Sequence, residues 1–100
     1  MKDYQRTFEN MLDDNREKLI IDLREPQEYE REHVEGAINV FWEKFDEFRS
    51  RLSRNKPIYM ICHKGDTSDG FAKQLTEAGY EAYSIVEGHR GYLRWKLARI

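Results

Sequence analysis

IYMICHKGDTSDGFAKQLTEAG, residues 58 to 79, is the stretch that decides the fold. Ile58, Tyr59, Met60 and Ile61 form a short run that is apolar on both faces, as a central strand of a sheet requires. The CHKGDTS segment is a turn. Phe71, Ala72, Leu75 and Ala78 then recur at helical spacing. Thr67 or Ser68 is placed to cap that helix, and Gly79 stands where a C-terminal glycine belongs. The chain's only cysteine, Cys62, sits where the strand gives way to the turn.

The same strand-then-helix unit recurs on either side. Upstream, Leu19, Ile20, Ile21 and Leu23 form an apolar run broken by Asp22, with Arg24 at its exit. Pro26 suits the first turn of a following helix, which carries Tyr29 and His33 and should end near Gly36. Ala37, Ile38 and Val40 make a brief extended piece. Phe41, Phe45, Phe48 and Leu52 fall at helical spacing, and Asn55 to Pro57 breaks that helix. Downstream, Ala82 to Val86 reads as a third strand and Gly88 to Gly91 as a turn. Tyr92, Leu93, Trp95 and Leu97 supply a last helix. At the N-terminus Tyr4, Phe8, Met11 and Leu12 predict a helix, with Asp3 as its cap. Asp13 to Lys18 reads as a loop. The alternation predicts a three-layer α/β domain over residues 1–100, a small parallel sheet with helices on both faces and right-handed connections.

Composition narrows the function. The chain has 100 residues, 39% apolar and 36% charged, with a net charge of −2. Acidic and basic residues are interleaved, so nucleic acid is not the expected partner. No apolar run is long enough to cross a bilayer, and MKDYQRTFEN lacks a signal-peptide core. One cysteine cannot form an intrachain disulfide, which agrees with a reducing, cytoplasmic setting. Paired-cysteine spacing is absent and the three histidines are scattered, so no metal site is expected.

Sites in open parallel sheets form beyond the carboxyl ends of the strands. Three strand exits would face one edge here: Asp22 with Arg24, Cys62, and Glu87 to Gly91 with Arg90. Cys62 precedes a helix by about one turn. The amides of His63, Lys64, Gly65, Asp66, Thr67 and Ser68 can curl around its sulfur as an anion-binding nest, and Gly65 supplies the backbone freedom for the curl. The helix dipole adds about 0.3–1 kcal/mol in favour of negative charge. Both effects favour thiolate over thiol. A phosphatase or arsenate reductase loop would need an arginine near its end, and none lies between Cys62 and Gly70.

With these residues in view, the chain resembles the rhodanese family of single-domain sulfurtransferases from Leu19 to Leu97. LIIDLREPQEYEREHVEGAINV is similar to the family's first signature, CHKGDTS to its active-site loop and VEGHRGYLRW to its closing segment. The resemblance implies a Cys62 persulfide that carries sulfur from a donor such as thiosulfate to cyanide, a thiol or a protein acceptor. It implies no organic cofactor. Residues His63 to Ser68 would contact substrate, with Lys64 and Thr67 the leading side chains and Asp22, Arg24 and Arg90 in support. A binding or regulatory module with an idle cysteine is the alternative. Three departures stand out. Thr67 stands where many loops of the family place an arginine. Asp66 places a carboxylate in the loop, and His89 replaces the second glycine of the closing segment.

Overall fold

The computed structural model describes residues 1–100. Five parallel strands form one sheet in the order β1-β5-β4-β2-β3. They are β1 (Gln5–Arg6), β2 (Leu19–Asp22), β3 (Ile38–Asn39), β4 (Ile58–Ile61) and β5 (Ala82–Ile85). The helices are α1 (Phe8–Asp13), α2 (Pro26–Arg31), α3 (Phe45–Phe48), α4 (Asp66–Glu77) and α5 (Gly88–Leu97). β4 lies at the centre, with Asp22 of β2 opposite Ile61 and Ser84 of β5 opposite Met60.

The twofold period of β4 divides the core between the two faces of the sheet. Ile58, Met60 and Cys62 join a cluster with Ile21, Leu23, Phe45, Ala72 and Leu75, beneath α3 and α4. Tyr59 and Ile61 join Phe8, Met11, Ile20, Ile85 and Tyr92, beneath α1 and α5. Cys62 thus continues the α4 side of the sheet one step past the last strand residue. The three-layer arrangement and the central place of the Ile58–Ile61 strand are as expected from the sequence. No helix is long and apolar enough to cross a membrane.

Several local expectations are corrected. The predicted N-terminal helix is two elements. Gln5 and Arg6 pair with Ser84 and Ile85 as an edge strand. Helix α1 starts only at Phe8, because Thr7 rather than Asp3 forms the cap, in a reciprocal capping box with Asn10. Helix α2 stops at Arg31, short of Gly36. His33 lies beyond it, its ring stacked on Tyr29 at 3.8 Å with Nδ1 2.7 Å from the Tyr29 carbonyl oxygen. The Phe41–Leu52 stretch is broken into 3-10 turns at Trp42–Lys44 and Arg49–Arg51 around the single turn of α3. Phe45 and Leu52 still reach the core through these tighter turns.

The other two corrections bear on the site. Gly65, in the left-handed region at φ 104°, is the residue before α4, so Thr67 and Ser68 lie within its first turn instead of capping it. Gly88 to Gly91 is the start of α5, not a separate turn. Glu87 and Gly88, at φ 64° and 51°, reverse the chain within two residues, and the helix begins at once.

Candidate active site

The turn after β4 folds back over the end of its own strand. Cys62 is only 5% exposed, yet hydrocarbon does not enclose its sulfur on all sides. The amides of Gly65 and Ser68 donate to Sγ at 3.2 and 3.4 Å. The Ser68 hydroxyl lies 3.3 Å away. Of the six amides expected around the sulfur, these two reach it. Thr67 N–H donates instead to Oδ1 of Asp66 at 3.0 Å. No hydrogen bond within the chain uses the amides of His63, Lys64 or Asp66. Hydrogen bonds to a charged acceptor are worth roughly twice neutral ones, and these donors converge on Sγ with the N-terminus of α4 directly behind it.

Gly65 is required for two reasons. Its φ is one that other residues avoid, and a Cβ there would stand 3.2 Å from the Glu87 nitrogen and 3.3 Å from the Ile85 oxygen. The start of α5 is threaded into the same contact. His89 N–H donates to the Cys62 carbonyl at 2.7 Å, and Arg90 N–H donates to that of His63 at 3.3 Å. The first-turn amides of α5, which have no partner within their own helix, thereby pin the loop.

A buried hydroxyl network stands behind the sulfur. Ser68 Oγ is 2.6 Å from Ser84 Oγ, and the two hydroxyls lie 3.2 and 3.4 Å from the Gly65 carbonyl oxygen. Neither serine is exposed. With Ser84 donating to Ser68 and Ser68 donating to Sγ, both buried hydroxyls are satisfied and both point towards the sulfur. Sequence pattern alone does not single out Ser84, whose only signal is a hydroxyl inside the otherwise apolar AYSIV strand.

In front of the sulfur lies a pocket of about 320 Å³. Leu23, Phe41 and Trp42 form an apolar wall. Arg24, Glu25, Glu28, His63, Lys64, Asp66 and Thr67 supply the polar remainder. Four of the six loop residues singled out in the sequence therefore face the pocket, while Gly65 and Ser68 lie behind the sulfur. His63 Nε2 is 3.0 Å from Glu28 Oε1.

Asp22 and Arg24 are brought together as a buried pair, Nε to Oδ1 at 3.0 Å and Nη2 to Oδ2 at 2.8 Å. Arg24 also donates to the Glu32 carbonyl, and Asn39 bonds the Asp22 and Arg24 carbonyls. Removing one partner of such a pair strands the other charge at a cost of about 3–5 kcal/mol. The Arg90 side chain is exposed and is not part of the pocket wall. His89 is buried beneath the loop. Burial, with the Arg24 guanidinium nearby, holds its imidazole below the ordinary histidine value. No three His, Cys, Asp or Glu side chains converge as a metal ion would need.

Residues 5–98 match the family model of the rhodanese-like domain. The chain belongs to the rhodanese-like domain family. Its relatives include the thiosulfate sulfurtransferase GlpE of Coxiella burnetii, 32% identical over 82 residues, which cover 81% of this chain and 74% of that protein. The putative sulfur carrier protein YrkF of Bacillus subtilis is 29% identical over 86 residues, 85% of this chain and 46% of that protein. A rhodanese-like domain protein from Staphylococcus aureus superposes with a TM-score of 0.73 at 19% identity, over 84% of this chain and 82% of that one. The rhodanese-like fold of this chain is thus shared with a solved structure, and sulfur transfer is supported at the level of the family.

Proposed function

We propose that this rhodanese-like domain, one unit over residues 1–100, is a sulfurtransferase that carries sulfane sulfur on Cys62. The observation that supports this best is a thiol at the floor of a pocket, held by the Gly65 and Ser68 amides at the start of α4. The Cys62 thiolate attacks the outer sulfur of a donor such as thiosulfate. The donor S–S bond breaks, sulfite leaves with the electron pair, and Cys62 becomes a persulfide anion. Cyanide or a thiol then takes the outer sulfur and restores the thiolate.

His63, Lys64, Asp66 and Thr67 meet the substrate at the pocket, while Gly65 and Ser68 hold the inner sulfur. Asp22 and Arg24 brace the wall, and Arg90 supports the loop through its backbone. The reaction needs no organic cofactor or metal, and a cytoplasmic setting keeps the thiol reduced. A protein thiol is a further acceptor of the same class.

Thiocyanate formation from thiosulfate and cyanide, compared with Cys62→Ser, tests the reading. A mass gain of about 32 Da on the wild-type chain, lost on adding a thiol, is the expected persulfide. Equal activity in both proteins would discard the Cys62 persulfide mechanism, and no activity in the wild-type chain would leave a binding or regulatory module with an idle cysteine.

A further inference from the structure

The charge at the pocket mouth is opposite to what an anionic donor would select. Glu25, Glu28 and Asp66 all contribute to it. Arg24 is consumed by Asp22 behind it. His63 is turned to Glu28. Lys64 alone offers a positive charge without an ion-pair partner, and with Glu28 engaged by His63 two further carboxylates, Glu25 and Asp66, face that one free ammonium. Asp66 also occupies the loop itself. Its Oδ1 takes the Thr67 amide, a donor of the helix first turn that an oxyanion would otherwise accept. The opposite wall is apolar, with Trp42 46% exposed beside Phe41 and Leu23. An inorganic dianion has nothing to bury there, whereas an aliphatic carrier has.

We propose that the preferred donor is an alkyl persulfide on a thiol carrier of neutral or positive charge, with Asp66 and the neighbouring glutamates as the residues that disfavour anions. This rests on the sulfur-transfer reading of Cys62. A thiol acceptor yields a thiol persulfide, so the reverse of that step makes the same compound a donor. The Cys62 thiolate attacks the outer sulfur of R–S–S–H and a new S–S bond forms. The old S–S bond breaks, R–S⁻ departs with its electron pair, and the proton stays with the transferred sulfur. The reacting sulfur pair carries at most one negative charge where thiosulfate carries two, and an ammonium on the carrier offsets that one.

Loading of Cys62 by intact-mass measurement tests this with 2-aminoethyl persulfide, 2-carboxyethyl persulfide and thiosulfate. The first two present the same sulfur pair on carriers of opposite charge. Their second-order rate constants should differ by about tenfold at low salt in favour of the amine, and converge as salt screens the carboxylates. Thiosulfate should be the slowest of the three and should accelerate with salt. Asp66→Asn keeps an oxygen for the Thr67 amide, and it should narrow the amine preference and speed thiosulfate several-fold. Equal rates for the two carriers, or thiosulfate fastest and slowed by salt, overturn the donor preference and leave sulfur transfer standing. Failure of all three donors to add mass to Cys62 overturns both.

Discussion

Gly88→Ala tests whether the start of α5 holds the Cys62 loop in place. Gly88 adopts φ +51°, and a Cβ there would lie 2.2 Å from the Cys62 carbonyl oxygen and 2.9 Å from its carbon. Ordinary contact begins at 3.4 Å, so the oxygen must retreat by about 1.2 Å within a close-packed site. That oxygen is the acceptor for His89 N–H at 2.7 Å, and the bond would be lost. The left-handed backbone costs a non-glycine residue about 1–2 kcal/mol. Overpacking adds about 1–3 kcal/mol, and the lost hydrogen bond about 0.5–1.5 kcal/mol.

Gly36→Ala is the matched control. Its φ is +87°, also left-handed, but a Cβ there meets nothing within 4 Å. The difference between the two variants therefore isolates the contact with Cys62, at roughly 1.5–4.5 kcal/mol. In thermal melts Gly88→Ala should fall at least about 6 °C further than Gly36→Ala, given about 4–8 °C per kcal/mol in a domain of this size. Below its melting point Gly88→Ala should load sulfur on Cys62 about a hundredfold more slowly, since displacement of a reacting group by an ångström has that effect. Equal melting temperatures for the two variants would refute the close approach as the device that positions the loop.

Two further outcomes follow from the interior of the site. Ser84→Ala removes the 2.6 Å partner of Ser68 and should slow Cys62 loading about fivefold, the equivalent of about 1 kcal/mol, in single-turnover mass measurements; an unchanged rate would reduce the serine pair to packing. His89 is held neutral by burial and by Arg24, against the opposing pull of Asp22 and Glu32, with His63 also near. Its folded-state value lies below the ordinary 6.5, so as pH falls from there the unfolded chain binds a proton that the folded chain refuses. Stability should therefore decline below about pH 6.5 and level off once pH passes below the folded value, with His89→Phe removing that part of the slope in urea titrations.

The parts of this molecule that were legible in the sequence are those whose physics is local and periodic. β2, β4 and α4 each span enough residues for an apolar pattern to show, and Cys62 stands out because a thiol at a strand exit is a local fact. β1 has two residues, too few to display a period of two, and its pairing is settled by the distant Ser84 and Ile85. The Gly88 turn is hidden from the sequence for the same reason. It takes the Cys62 carbonyl, twenty-six positions upstream, to convert a glycine-rich segment into the first turn of a helix. Ser84 lies deeper still, because a lone hydroxyl in an apolar strand has no meaning until β5 is set beside β4 and α4 is laid across both.

Asp66 joins these two kinds of information. Its presence in the loop is plain from the sequence, and taken alone it counts against binding an anionic donor. The structure gives the carboxylate a local task, accepting the Thr67 amide at the start of α4, where negative charge is favoured. A carboxylate so engaged stabilises the turn that holds Cys62, and it places a negative charge at the pocket wall. The same side chain thus favours the folded loop and disfavours a dianion in the pocket. Asp66→Asn separates the two effects, because the amide oxygen preserves the hydrogen bond while the charge is gone.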